Sequence, residues 1–529
     1  MEVINEVSRL VCKEKSADYL IPVEDNLSLE NNYSMALKSL SVWISKIGKD
    51  QTARRLLAQS SSLWELIEQF LERESNSIRN EHDGEYARDR LRVLRGVVLL
   101  TSNVLGGVTQ DNKMDFSKLQ DQFSSLCVCF LQKKEVKVYD GIVVLGALAC
   151  FQALSNLLVS LENQGKPIEW TENDFSAINA VVCTNCTGED SRALWISMFR
   201  YLGKLTSSED FVKSWLEDHL PDYKNLMVKY RKQVANNPDS IVPALNLSFH
   251  IITSAYIEKL VTILTLQDEQ ILETFLQAHK NEDEDSCLEL NFDTEPTVLM
   301  ILLRDTQIIV GSKDTGWTRE SKIIVASWLM NYTLNLKTIL TERCQTISVD
   351  SILKAYKWHL APTLDSISSL LRFSTVTEML NSYNFLSNIL MLFEIVCKKT
   401  KRGRLDDAEN DIDSSKMAGI KSMILEIIGY LVSGNFKNQE LVRNQHSLEL
   451  VLDSCNLDFD EPFIRERGIL CIKSLLDNNR GNQDFIANLE AKGTKMDEKS
   501  REIMEDCGYQ VEFEEGQVRL KAKGSIKEV

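Results

Sequence analysis

The sequence predicts an all-α fold, an armadillo/HEAT-like right-handed superhelical solenoid closed by a small C-terminal β-hairpin. Three observations carry this. One passage near the C-terminus occurs twice, 44 residues apart, which is the spacing of two- or three-helix repeats. Apolar residues recur at helical spacing along most of the 529 residues. Only 8 prolines and 22 glycines are present, too few for turn-rich β structure.

Residues 1–280 form the predicted N-terminal half. After a leader carrying Val7, Leu10 and Val11, one stripe is expected from Leu37, Leu40, Trp43, Ile44 and Ile47. A polar break at 48–51 precedes helices carrying Leu56, Leu57, Leu63, Leu66, Ile67 and Phe70, and residues 72–85 read as a charged loop. Residues 90–103 form a helix with Arg92 and Arg95 on one face. Residues 141–161 hold no charge and are long enough to cross a bilayer. Gln152, Ser155, Asn156 and Ser160 within them suit a helix buried between solenoid neighbours, so no membrane span is expected. Trp195, Met198, Phe199 and Leu202 mark a further buried stripe.

Residues 281–295 are an acidic loop, and 296–397 resume as central helical repeats with a stripe of Trp328, Leu329, Tyr332, Leu336 and Ile339. Residues 398–415 are basic in front and acidic behind, which reads as a zwitterionic surface loop or a nuclear-import signal.

Residues 416–523 form the C-terminal domain and contain the duplication. Ile428, Leu431, Asn435, Asn438, Gln439 and Asn444 recur as Ile472, Leu475, Asn479, Asn482, Gln483 and Asn488. Ile469, Ile472, Leu475 and Leu476 are expected to form one buried stripe. The polar run at 477–481 stops that helix, and Asn482 is expected to cap the next, which carries Phe485, Ile486 and Leu489. A helix is expected at 493–507. Beyond it the period becomes two, with Val511, Phe513, Val518 and Leu520 alternating with polar residues around a turn at Gly516. An isolated hairpin is marginal, so it must lean on the last helices as a cap.

The net charge of −17 opposes nonspecific nucleic-acid binding and attraction to an anionic membrane. The N-terminus lacks a basic signal-peptide region, and the 12 cysteines are scattered through apolar patterns. A reducing compartment, the cytoplasm, is expected. No phosphate loop, dinucleotide fingerprint, zincin or nucleophile-elbow motif is present, so neither an enzyme nor a cofactor is expected. Cys183 and Cys186 have a metal-like spacing, although a structural zinc site needs four ligands. They are the one metal candidate; the alternative is two cysteines at a helix end.

The run from Asp460 to Gln483, with its Asp-Glu-Pro-Phe-Ile-Arg-Glu entry and its Asn-x-x-Asn-Gln exit, resembles the C-terminal domain of the ataxin-10 family. The resemblance covers about residues 415–523. It favours the fungal branch, once labelled a copper transport protein. The helix at 90–103 is similar to an Arg-x-x-Arg-Asn helix of that family, with Gly96 where asparagine is usual. The resemblance implies a non-enzymatic protein-interaction scaffold that regulates cytokinesis, with protein partners and homo-oligomerisation. The alternatives are copper homeostasis through Cys183 and Cys186, and a cargo adaptor of nuclear-transport type. An armadillo arrangement implies a groove, for which Arg92, Arg95, Asn156, Tyr430 and Ser474 are the candidate protein-binding residues. Asn156 suits a peptide-binding asparagine ladder, which Tyr430 and Ser474 interrupt. Ordinary polar packing between repeats is the other reading of all five.

Overall fold

A computed structural model describes residues 26–80, 87–112, 114–132, 140–184, 188–218, 220–234, 241–278, 296–312, 316–343, 349–399, 419–456, 461, 463–488, 509–514 and 517–522. The loop expected at 281–295, the helix expected at 493–507, the Gly516 turn and all of the loop expected at 398–415 except residues 398 and 399, which are helical, lie outside these residues. The chain divides into two compact units, Met1–Leu329 and Met330–Val529.

In the first unit the helices are α1 (Asn26–Lys49), α2 (Gln51–Ala58), α3 (Ser61–Asn80), α4 (Ala87–Leu105), α5 (Ser117–Gln132), α6 (Asp140–Asn163) and α7 (Glu172–Cys183). They continue as α8 (Glu189–Leu205), α9 (Glu209–Asp218), α10 (Leu220–Val234), α11 (Val242–Ile252), α12 (Ile257–Ala278), α13 (Val298–Gly311) and the start of α14 (Arg319–Arg343). They pack as two rows. One row runs α1, α4, α6, α8, α11 and α13, each helix against the next; the other runs α3, α5, α7 and α10.

The polar break at 48–51 is a helix junction. Asp50 accepts from the Ala53 amide at 3.0 Å and caps α2. Residues 72–80 are helical, a departure from the expected charged loop. Glu74 among them is buried and paired with Arg90 of α4 at 2.7 Å, so this acid faces the core while Glu72 stays exposed. Gly96 is explained by α1: a Cβ there would stand 2.9 Å from Leu40 Cδ1, inside contact distance.

Helix α6 is long and apolar enough to cross a membrane by length and composition. Here it lies against α4, α5 and α8, with Val143, Ala147, Phe151, Leu154 and Leu158 fully buried. Beside it, Asp174 of α7 is wholly buried and fully hydrogen-bonded. It accepts from the hydroxyls of Ser124 and Tyr201, from Gln120 Nε2 at 2.9 Å and from the Thr171 amide at 2.8 Å.

The second unit holds the remainder of α14, then α15 (Val349–Leu370), α16 (Ser374–Ser382), α17 (Phe385–Lys399), α18 (Ile420–Val432), α19 (Phe436–Asn444), α20 (Ser447–Asp453), α21 (Ile464–Leu476) and α22 (Arg480–Ala487). Helices α15, α18 and α21 stack in a row, α17 packs on α18 and α20, and α19 packs on α22. Strands β1 (Tyr509–Glu514) and β2 (Gln517–Ala522) pair antiparallel, with Val511 opposite Leu520 and Phe513 opposite Val518.

The stripe of α21 differs from expectation. Ile464, Gly468, Cys471 and Leu475 are buried, whereas Ile469 is 50% exposed and Ile472 and Leu476 are half-buried. Helix α18 shows why. It is sandwiched between α15 and α21 and buries two stripes, while α21 has a row neighbour among the described helices on one side only.

His359 is buried and stands 2.6 Å from the Tyr332 hydroxyl through Nδ1. Burial lowers its pKa from 6.5 to about 4. The folded unit therefore binds fewer protons than the unfolded chain. Its contribution is complete above pH 6.5 and is lost as pH falls through about 4. Equilibrium unfolding of the second unit should lose about 3 kcal/mol over that window, and His359→Gln should flatten this limb of the pH profile.

Candidate functional site

The duplicated passage folds into two copies of one joint. In the first, α18 ends and Gly434 takes a left-handed φ of 63°; Asn435 then accepts from the Asn438 amide at 3.1 Å and caps α19. In the second, Asn478 takes the same turn with φ 53°, and Asn479 caps α22 by accepting from the Asn482 amide at 2.9 Å. Glycine and asparagine are the residues that tolerate this conformation. The cap is thus Asn479, one turn earlier than the expected Asn482.

The second asparagine of each copy faces backward. Asn438 Nδ2 donates to the Leu431 carbonyl and Asn482 Nδ2 to the Leu475 carbonyl, both at 2.8 Å. Gln439 Nε2 donates to Val432 O at 3.3 Å and Gln483 Nε2 to Leu476 O at 2.9 Å. These are carbonyls at the C-terminal ends of α18 and α21, which have no partner within their own helix. The Asn-x-x-Asn-Gln motif is therefore a clasp: its first residue caps the incoming helix and the last two close the outgoing one.

The first clasp also joins the copies. Gln439 Nε2 donates to Ser474 O at 2.9 Å and to Asp477 O at 3.2 Å. Asn479 Nδ2 donates to Gln439 Oε1 at 3.2 Å, and an Arg443 guanidinium nitrogen donates to Asn482 Oδ1 at 2.9 Å. At the other end of α18, Glu461 takes the place of an N-cap. Its carboxylate accepts from the Lys421 amide at 3.2 Å, the Ser422 amide at 3.0 Å and the Ser422 hydroxyl at 2.8 Å. Burial pushes its pKa up, against the lowering pull of these hydrogen bonds.

Tyr430 and Ser474 occupy equivalent positions on the outward side of this pair of helices. Tyr430 is 41% exposed, one turn beyond Glu426, which pairs with Arg467 of α21 at 2.6 Å. Leu470, 58% exposed, follows Arg467 by one turn, and the Ser474 hydroxyl donates to the Leu470 carbonyl at 3.3 Å. Tyr430, Leu470 and Ser474 thus share a face with a cross-helix ion pair.

In the first unit, Arg92 pairs with Asp89 at 3.0 Å on the exposed side of α4. Arg95 is half-buried, and its Nε makes no hydrogen bond. Asn156 donates to the Ser102 carbonyl at 3.1 Å and its hydroxyl at 2.9 Å, joining α6 to α4. Asn103 does the same one layer earlier, donating to Ile44 O at 3.3 Å. A cleft of about 330 Å³ opens beside Gln51, Arg55, Thr109 and Asn163 and includes none of these candidates. Cys183 is exposed at the end of α7, and Cys186 lies outside the described residues. Among the described residues no three His, Cys, Asp or Glu side chains converge as a metal site.

Reading the sequence missed Glu461 and Asn103. The identities Asn438/Asn482 and Gln439/Gln483 were the available signal for the clasp, because amides retained at both copies of a joint mark a shared backbone task.

The two clasps predict unequal mutational costs. Gln439 is buried and bonds across copies, so Gln439→Ala should destabilise the second unit by about 1–3 kcal/mol. Gln483 is exposed with one such bond, and Gln483→Ala should cost under about 0.5 kcal/mol. Glu461→Ala strands three donors and should cost about 1–3 kcal/mol. Denaturant unfolding of each variant checks these values.

Comparison with known proteins places the geometry. Residues 420–521, from the start of α18 to the end of β2, match the spinocerebellar ataxia type 10 protein domain. An ataxin-10 homolog of Debaryomyces hansenii is 29% identical over 402 residues, covering 70% of this chain and 76% of its own. An ataxin-10 homolog of Candida glabrata is 22% identical over 98% of both chains. Bovine ataxin-10 is 33% identical over 115 residues, covering 22% of this chain and 23% of its own. Residues 420–521 thus carry the ataxin-10 protein domain, and most of the chain is similar to ataxin-10 homologs of yeasts.

Proposed function

We propose that the chain is a non-enzymatic, armadillo/HEAT-like scaffold of the cytoplasm that binds protein partners in the regulation of cytokinesis. The observation that carries this reading is the outward face of α18 and α21. Tyr430 and Leu470 stand exposed there beside the Glu426–Arg467 ion pair, while the amides of the family motif are occupied in joining helices. Exposed aromatic and apolar residues rimmed by charge are the composition of a protein-docking surface. The two-row packing of helices supports the solenoid reading, since each layer depends on its neighbours for cover.

The competing readings find less support. The Asn156 amide donors are engaged with Ser102, so this residue is poorly placed to lead a peptide-binding ladder.

The test is affinity purification from native cells of the full chain beside a Tyr430→Ala, Leu470→Asp variant, with septum formation scored in the same cells. The scaffold reading expects the variant to keep its unfolding midpoint, lose specific partners and delay division. An unchanged partner set and normal division would place function elsewhere. Metal analysis of the purified protein with and without Cys183→Ser decides the copper alternative, which requires stoichiometric metal that the variant loses.

A further inference from the structure

In the first unit, α4, α6 and α8 are consecutive members of one row, and α6 lies between the other two. Helices α3, α5 and α10 of the other row pack beneath them, so each of the three keeps one open side, and the open sides adjoin. On α4 this side carries Arg88, Arg92 and Arg95, one turn apart. On α8 it carries Arg192, Ile196 and Arg200, again one turn apart. Between these stripes α6 presents Leu148, Gln152, Ser155 and Val159, which bear no charge. Asn156 donates to Ser102 and Ser160 to the Leu105 carbonyl, so α4 and α6 run parallel and in step, which sets Arg95 at the level of Leu148 to Gln152.

Arg92 is paired with Asp89, but Arg88, Arg95, Arg192 and Arg200 pair with no described carboxylate. Arg95 and Arg192 are half-buried, each with an Nε that is buried and makes no hydrogen bond, so packing rather than a carboxylate holds their stems. Of the acids on these three helices, Asp89 and Glu162 are held by Arg92 and Lys204. Asp140, Glu189 and Asp190 lie in first turns, where the helix N-terminus favours them. The chain has 77 acidic residues to 60 basic ones, so carboxylates are in excess. Arginines left without them on both flanks of one face make a local surplus of positive charge.

We infer that the open side of α4, α6 and α8 docks an extended acidic segment of a partner protein. Its carboxylates meet the arginine stripes of α4 and α8, and uncharged residues cross α6. Packed helices lie about 10 Å apart, which sets the two stripes about 20 Å apart. An extended chain rising about 3.3 Å per residue covers that distance in about six residues. The segment therefore carries two acidic groups separated by about four uncharged residues. Arginine suits this role, because its planar fork grips a carboxylate through paired hydrogen bonds. This surface is separate from the one on α18 and α21, so either can fail without the other.

The test uses the full chain and a short fluorescent peptide with three acidic residues, four uncharged ones and three more acidic ones, read by anisotropy. Saturable binding is expected, weakening as salt rises from about 50 to 300 mM. Arg88→Ser combined with Arg200→Ser changes exposed positions only, so the unfolding midpoint should hold while affinity falls about tenfold. Lys213→Ser combined with Lys232→Ser removes as much charge from exposed positions on α9 and α10, and should leave affinity within about twofold. Absence of saturable binding would overturn the proposal, as would unchanged affinity in the arginine variant or equal loss in the lysine variant. Tighter binding of a single-stranded oligonucleotide of equal charge would assign the face to nucleic acid and overturn it as well.

Discussion

The C-terminal structure depends on closing the carbonyl ends of its helices. A helix leaves four carbonyls without internal partners at its C-terminus, and short helices that turn sharply into one another multiply such ends. A buried carbonyl left unpaired costs free energy. Asn438, Gln439, Asn482 and Gln483 solve this locally, each reaching seven residues back to a carbonyl at the end of the previous helix. Because Gln439 also reaches forward to Ser474 and Asp477, one side chain sets both the angle between helices and the spacing between copies.

The central helix of this row has three packed sides and one open one. In α18 one side meets α15, one meets α21, one meets α17, and the side with Glu426 and Tyr430 faces outward. The outward side is free to vary in chemistry without disturbing the stack. This is how a repeat protein keeps its fold while its surface diverges, and it accounts for Tyr430 and Ser474 occupying equivalent positions in the two copies.

Much of this was legible in the sequence. The 44-residue echo located the joint, and the buried stripes of α8 and α14 largely follow helical spacing as expected, with Trp195, Met198, Phe199, Leu202, Trp328, Leu329, Tyr332 and Leu336 almost fully covered, although Ile339 is half-buried and Leu340 is covered in its place. What was not legible depends on the neighbour. The exposure of Ile469 is set by whether another layer follows, which periodicity within one helix does not encode. Glu74 looked like surface charge because its partner Arg90 lies on the next helix, and the capping role of Glu461 was not visible because the helix it caps begins about forty residues earlier. The bonding of Asn156 to Ser102 likewise became visible only when α4 and α6 were brought side by side.

Helix α6 has a consequence for the chain before it is folded. Its apolar stretch has a mean hydropathy of 2.1, and as it leaves the ribosome it offers the same signal as a segment destined for a bilayer. Two of its neighbours, α4 and α5, precede it in the chain and are synthesised first; α8 follows later. Cover for this segment is present in the chain from α4 and α5 before it is made, and from α8 only afterwards. Lesions in α4 or α5 would leave an apolar segment of membrane-spanning length without two of the helices that bury it.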